Sequence, residues 1–132
     1  MDIPVQVTML FAAVFAVLQF PMGAAVGLYR AKTGIAFMDG GDEEMMRRMR
    51  AHGNFTENVP IALLVMAGAE LAGGPTSLVI GIGGLLLVGR LLHYSALRKM
   101  IPEFCRGLGA GLTSLSMLVS AATIFVKVGG VV

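Results

Sequence analysis

Arg50, Asn54 and Glu57 stand in the stretch RAHGNFTENVP, and Arg90 and His93 in the stretch GRLLHYSAL. Arg47, Arg50, Asn54, Glu57 and Asn58 recur at intervals of three and four residues, so one helix carries them as a single polar stripe. His52 points away from that stripe. Arg90, His93, Tyr94 and Leu97 repeat the pattern on a second helix. Guanidinium, carboxylate, amide and imidazole side chains on facing stripes can hold a small charged molecule. A carboxylate at Glu57 facing a guanidinium at Arg90 also invites an ion pair.

The elements that must position these stripes are membrane helices. The 132-residue chain is 56% hydrophobic and only 14% charged, with mean hydropathy +0.81, more apolar surface than a soluble domain of this size can hide. Ile3 to Tyr29 and Gly107 to Val126 carry no charge, and each meets the requirement of about 20 apolar residues for a bilayer span. Two shorter runs, Val59 to Ala69 and Leu78 to Gly89, flank the turn signal AGGPTS. The sequence predicts an all-α, integral membrane four-helix bundle in a single domain over 1–132, with helices near 4–29, 43–72, 76–99 and 103–127. The first block lacks the basic start of a secretory signal and is too long for one. It is read as a helix that can bend at Pro21.

Lys and Arg are distributed unevenly. Arg30, Lys32, Arg47, Arg48 and Arg50 fall around the first connection, and Arg90, Arg98, Lys99 and Arg106 around the third, while the other side has only Lys127. Positive residues stay in the cytoplasm, which predicts both polar connections inside and both termini, with the GGPT turn, outside. The net charge of +2 follows from that asymmetry. No basic stripe interleaved with aromatics suggests nucleic acid, and no metal site is expected. The lone Cys105 excludes an internal disulfide. It is read as a packed residue, although Arg106 beside it favours a thiolate. Met45, Met46 and Met49 are read as apolar filling.

A helix from Asp42 to Ala72 would exceed the hydrocarbon thickness of about 30 Å. Its first turns must therefore project into water, and the membrane zone begins near Gly53. Asn54, Glu57 and Asn58 then lie at or inside the boundary, where ionisable groups usually face the bundle interior. Arg30, Lys32, Arg47, Arg48, Arg98 and Lys99 are explained by topology and snorkelling alone. A carboxylate at Glu57 is not.

RAHGNFTENVP resembles the helix-two signature Arg-Ala-x-x-Asn-x-x-Glu-x-x-Pro of the membrane-associated proteins in eicosanoid and glutathione metabolism, the MAPEG superfamily. GRLLHYSAL resembles its helix-three signature, YRAKTG its basic exit from helix one, and CRGLGAGLTSL its arginine opening helix four. The match runs along the whole chain and is similar to the small bacterial branch. The resemblance implies a homotrimer in the bacterial inner membrane, with glutathione as cosubstrate bound between subunits on the cytoplasmic side. It implies that Arg50, Asn54 and Glu57 hold the glutathione backbone, that Arg90 and His93 line the same pocket, and that Arg106 stands catalytically beside the thiol; Asn58 and Tyr94, their neighbours on the same stripes, are also expected at the glutathione site. Arg30 and His52 would reach the site of the adjacent subunit.

Glutathione carries two carboxylates and one ammonium. Arginines pair with the former, while Glu57 and Asn54 suit the latter. A cation beside the sulfur lowers the thiol pKa from about 8.5. The expected activity is thiolate attack on an apolar electrophile or hydroperoxide arriving from the membrane lipid. The chain departs from the family at Asn58, Leu97 and Ala110, where several members have tyrosine, and Tyr94 lies one residue off register. Those departures keep open a non-catalytic protein of the same fold that binds lipid or a partner. A four-helix transporter is a third reading, against which no broken, repeated helices are visible.

Overall fold

The computed structural model describes residues 4–130, so Met1, Asp2, Ile3 and the last two valines lie outside the described residues. The chain forms four helices in sequence order: α1 (Gln6–Thr33), α2 (Glu43–Leu71), α3 (Thr76–Leu97) and α4 (Phe104–Val128). α1 runs four residues beyond the predicted end and continues through Pro21. Its stop is local: Gly34 adopts φ 72°, a left-handed conformation open to glycine, and its N–H bonds the Arg30 carbonyl at 2.8 Å. Arg30 and Lys32 in the last turn complement the helix dipole.

α2 begins as its sequence dictates. The Asp42 carboxylate accepts the Met45 N–H at 2.7 Å, and Glu43 and Glu44 occupy the first turn. With 29 residues it is roughly 43 Å long, longer than a bilayer core. Its polar first half keeps it from being apolar enough, by composition, to count as a span. α1, α3 and α4 are long and apolar enough to cross a membrane. The molecule is thus an all-α membrane bundle, with α2 as the helix that carries charge into it.

α3 packs most closely on α4, α1 lies along α2, and the backbones of α1 and α4 do not come close among the described residues. The α3–α4 approach depends on glycine. A Cβ on Gly109 would lie 2.5 Å from the Gly89 carbonyl oxygen and 2.7 Å from the His93 nitrogen. The apolar core has two parts: Phe15, Met22, Phe55, Val59, Ala62 and Leu86 nearer the basic end, and Met66, Val79 and Ile82 nearer the other. Phe15 and Phe55 meet at 5.9 Å between ring centroids. Large side chains such as Val17, Phe20 and Leu28 on α1 and Phe125 and Val126 on α4 are exposed, as suits helices solvated by hydrocarbon rather than water.

At the far end, Glu70 near the end of α2 accepts the Val7 and Thr8 N–H groups, each at 2.9 Å, and the Thr8 hydroxyl at 2.7 Å. A carboxylate from one helix thereby caps the start of another. No side chain of α1's own cap does so.

Candidate functional site

The basic end of the bundle contains a cleft of about 350 Å³ lined by Arg50, Gly53, Asn54, Glu57, His93, Leu97, Arg106, Gly107 and Ala110. Three helices build it. α2 supplies one wall, the last turns of α3 a second, and the first turns of α4 the third. The volume falls in the range of small-molecule sites, about 300–1,000 Å³. Five of the residues singled out in the sequence meet here: Arg50, Asn54, Glu57, His93 and Arg106.

The other five lie elsewhere. Arg90 and Tyr94 border a small hollow adjoining the cleft, shared with Ala51 and Phe55, and Tyr94 packs against the apolar core. Asn58 donates its amide to the Asn54 backbone carbonyl at 2.8 Å. His52 lies on the opposite side of α2, in a groove with Gln19, Phe20 and Gly23 of α1. Arg30 folds back over its own connection, donating to the Ile35 and Ala36 carbonyls at 3.2 Å each and to the Met49 sulfur at 3.3 Å.

The expected Glu57–Arg90 ion pair does not form among the described residues. The faces differ: Glu57 is exposed and lines the cleft, while Arg90 is 3% exposed. Arg90 instead joins three helices. Its Nη1 donates to Asn54 Oδ1 at 2.7 Å, its Nε to Thr113 Oγ1 at 2.8 Å, and its Nη2 reaches the Gly109 carbonyl at 3.4 Å. Thr113 and Gly109 went unnoticed in the sequence. Their one signal was a run of small residues opening α4. His93, on the same helix, has both ring nitrogens buried and without a hydrogen-bond partner among the described residues.

Arg106 sits in the first helical turn of α4 with its side chain half exposed, its Nη2 3.5 Å from Glu103 Oε1. Beyond it a second, smaller hollow of about 210 Å³ continues outward between Arg47, Lys99, Glu103 and Arg106. Leu97 and Ala110 line the cleft and contribute no hydroxyl to it.

Ion pairs cluster at the same basic end of the bundle. Glu44 Oε1 lies 2.7 Å from Arg98 Nη1 and 2.8 Å from Arg48 Nε. Arg48 also donates to the Ala25 carbonyl at 3.1 Å and stacks over the Tyr29 ring, 4.6 Å from its centroid. Partial burial pushes the Glu44 carboxyl up, but hydrogen bonds and charge from Arg98 and Arg48 outweigh it and hold the pKa below the ordinary value. The hydrogen bond and charge of Arg47, aided by Lys99, hold Glu43 below it as well.

A charged cleft at one end of an otherwise apolar helical bundle defines an integral membrane protein built to bring polar groups to the edge of the hydrocarbon. The chain belongs to the MAPEG family, whose pattern it matches over residues 8–126. It is 34% identical over 116 residues to Inner membrane protein YecN of Escherichia coli (strain K12), covering 87% of this chain and 88% of that protein. The same figures hold for Inner membrane protein YecN of Escherichia coli O6:H1.

Proposed function

We propose that this protein is an inner-membrane, glutathione-dependent transferase or peroxidase acting on apolar electrophiles or hydroperoxides. The observation that carries the reading is the charge pattern of the cleft. Two guanidiniums, Arg50 and Arg106, and one carboxylate, Glu57, share a space of small-molecule size. Glutathione carries the complementary set, two carboxylates and one ammonium. Arginine suits the former because its planar fork matches a carboxylate.

Arg106 is the residue assigned to the sulfur. Its guanidinium is half exposed and, among the described residues, held only by a long contact to Glu103, so it is free to turn to a thiolate. The thiol proton leaves to solvent, the sulfur attacks the electrophilic carbon, and the leaving group takes the electron pair. With a hydroperoxide, the sulfur attacks the distal oxygen, the O–O bond breaks and the alkoxide takes a proton from solvent to leave as the alcohol; a second glutathione thiol then attacks the resulting glutathione sulfenic acid, giving the disulfide and water. Catalysis comes from position and from the cation facing the sulfur. The polar connections lie in the cytoplasm under this reading, and three copies assemble so that His52 and Arg30 approach a neighbour's cleft. The lipid-exposed faces admit the apolar cosubstrate.

Arg106→Lys tests the assignment. An anchor would tolerate lysine. A thiolate partner would not, and a loss of about 2–3 kcal/mol slows turnover by roughly 30- to 150-fold. The variant should fold and bind glutathione in isothermal titration, yet lose the thiolate absorbance. Wild-type turnover in Arg106→Lys would sink the role. The absence of hydroxyls at Leu97 and Ala110 favours the second reading, a non-catalytic binder of lipid or a partner. A wild type that binds glutathione with no thiolate and no turnover would establish it.

A further inference from the structure

We propose that Arg90 is a positioning residue that locks the Asn54 side-chain amide, so that its NH2 group rather than its carbonyl faces the cleft. Asn54 then reads a carboxylate or carbonyl oxygen of the ligand. The inference rests on the glutathione reading for the identity of that ligand, and on the following geometry for everything else.

A guanidinium has five N–H donors and no acceptor. Which way an amide points is often a matter of assignment, but a partner that can only donate removes the choice. With Arg90 Nη1 2.7 Å from it, the Asn54 side-chain atom is the oxygen. The guanidinium cannot swing away to relieve this contact. Its Nε is tied to Thr113 Oγ1, its Nη2 faces the Gly109 carbonyl, and the residue is 3% exposed. Thr113 is itself fixed to the Gly109 carbonyl at 2.9 Å. Asn54 has its backbone carbonyl covered by Asn58. Oδ1 is taken up by Arg90, which does not line the cleft, so Nδ2 is the polar side-chain atom that Asn54 has left to offer the cleft.

This corrects the expectation that Asn54 and Glu57 share the ammonium. The polar wall becomes three donors, Arg50, Arg106 and Asn54, against the single acid Glu57. Glu57 alone takes the cation. Arg90 reinforces the division. It is a buried guanidinium with no acid in ion-pair contact among the described residues, and such a charge favours an anionic group on the far side of Asn54.

Asn54→Asp tests the orientation because the two roles respond oppositely. The carboxylate still accepts from Arg90, so the thermal midpoint in detergent should equal or exceed wild type. In an Arg90→Met background the same substitution should lower it. In the cleft, however, a donor has become a charged acceptor. Glutathione affinity by isothermal titration should fall 10- to 100-fold with the fold intact, a split that a purely structural role for the pair would not produce. Affinity retained or raised in Asn54→Asp overturns the inference, because Asn54 would then be serving the ammonium. A wild type that binds no glutathione overturns the transferase reading instead. The orientation is then decided by the midpoints alone: a fall on Asn54→Asp in the presence of Arg90 refutes it, and retention upholds it.

Discussion

Replacing Gly109 by alanine adds one methyl group where two helices leave no room. The new Cβ would lie 2.5 Å from the Gly89 carbonyl oxygen, 2.7 Å from the His93 nitrogen and 3.0 Å from the His93 Cβ. Two of these three neighbours are backbone, so no side chain can rotate out of the way, and α3 and α4 must part. Overpacking of this kind costs about 1–3 kcal/mol. Parting the helices also strains the bonds from Arg90 to Thr113 and Gly109, and hydrogen bonds from charged groups contribute about 1.5–3 kcal/mol each. Against this stands the better helix propensity of alanine, about 1 kcal/mol. The expected net loss is about 2–4 kcal/mol. Gly81→Ala is the internal control, since nothing lies within 4 Å of a Cβ there. Thermal unfolding in one detergent should show Gly109→Ala lowered by several degrees and Gly81→Ala unchanged or raised. Equal midpoints for the two variants would refute the close α3–α4 approach, and with it the placement of Arg90.

Glu70→Ala should destabilise by about 1–2 kcal/mol, as loss of a helix cap does. Hydrogen exchange should quicken at the Val7 and Thr8 amides before it does in the middle of α1. Stability should also fall in acid through Glu44. Its folded pKa is lowered, so its contribution is complete above the ordinary value near 4.5 and disappears as pH falls through the lower folded value. The site is partly exposed, so the effect is under about 1 kcal/mol. Glu44→Gln should flatten that part of the midpoint-against-pH curve, and high salt should shrink it. Cysteine labelling in intact cells tests the proposed topology: a cysteine at Thr76 should react with an impermeant reagent and one at Gly40 should not.

Much of the architecture was legible because a bilayer leaves a chain few options. Uncharged blocks of sufficient length become helices, and the Asp42 cap with Glu43 and Glu44 marked the start of α2 to the residue. The end of α1 was read too early because Arg30 looked like a boundary. The stop is Gly34, and a basic last turn belongs inside the helix. Periodicity grouped Arg50, Asn54 and Glu57 correctly, and it separated His52 from them. It failed for Arg90 and Glu57 because spacing gives a position along each helix and not the rotation of one helix towards the other. Two residues at one level can still face different sides of their helices. Thr113 and Gly109 were invisible for another reason: a small residue that accepts a hydrogen bond looks, in sequence, like any small residue that permits packing.

The polar groups inside α4 show why Arg90 is the tie that matters at the cleft. Thr113, Ser116 and Ser120 are all buried, yet each hydroxyl donates to a carbonyl of its own helix, at 2.9, 2.7 and 2.9 Å. These bonds satisfy the hydroxyls and hold no two helices together. Between the ion-pair cluster at one end and the Glu70 cap at the other, cohesion therefore rests on packing. Among the described residues the exception is Arg90, whose donors reach α2 and α4 from α3. A buried guanidinium is a costly way to join helices if joining is its whole purpose, since apolar side chains of similar volume often serve as well or better. Its position beside the cleft, holding the amide that forms part of the cleft wall, supplies the reason that stability alone does not.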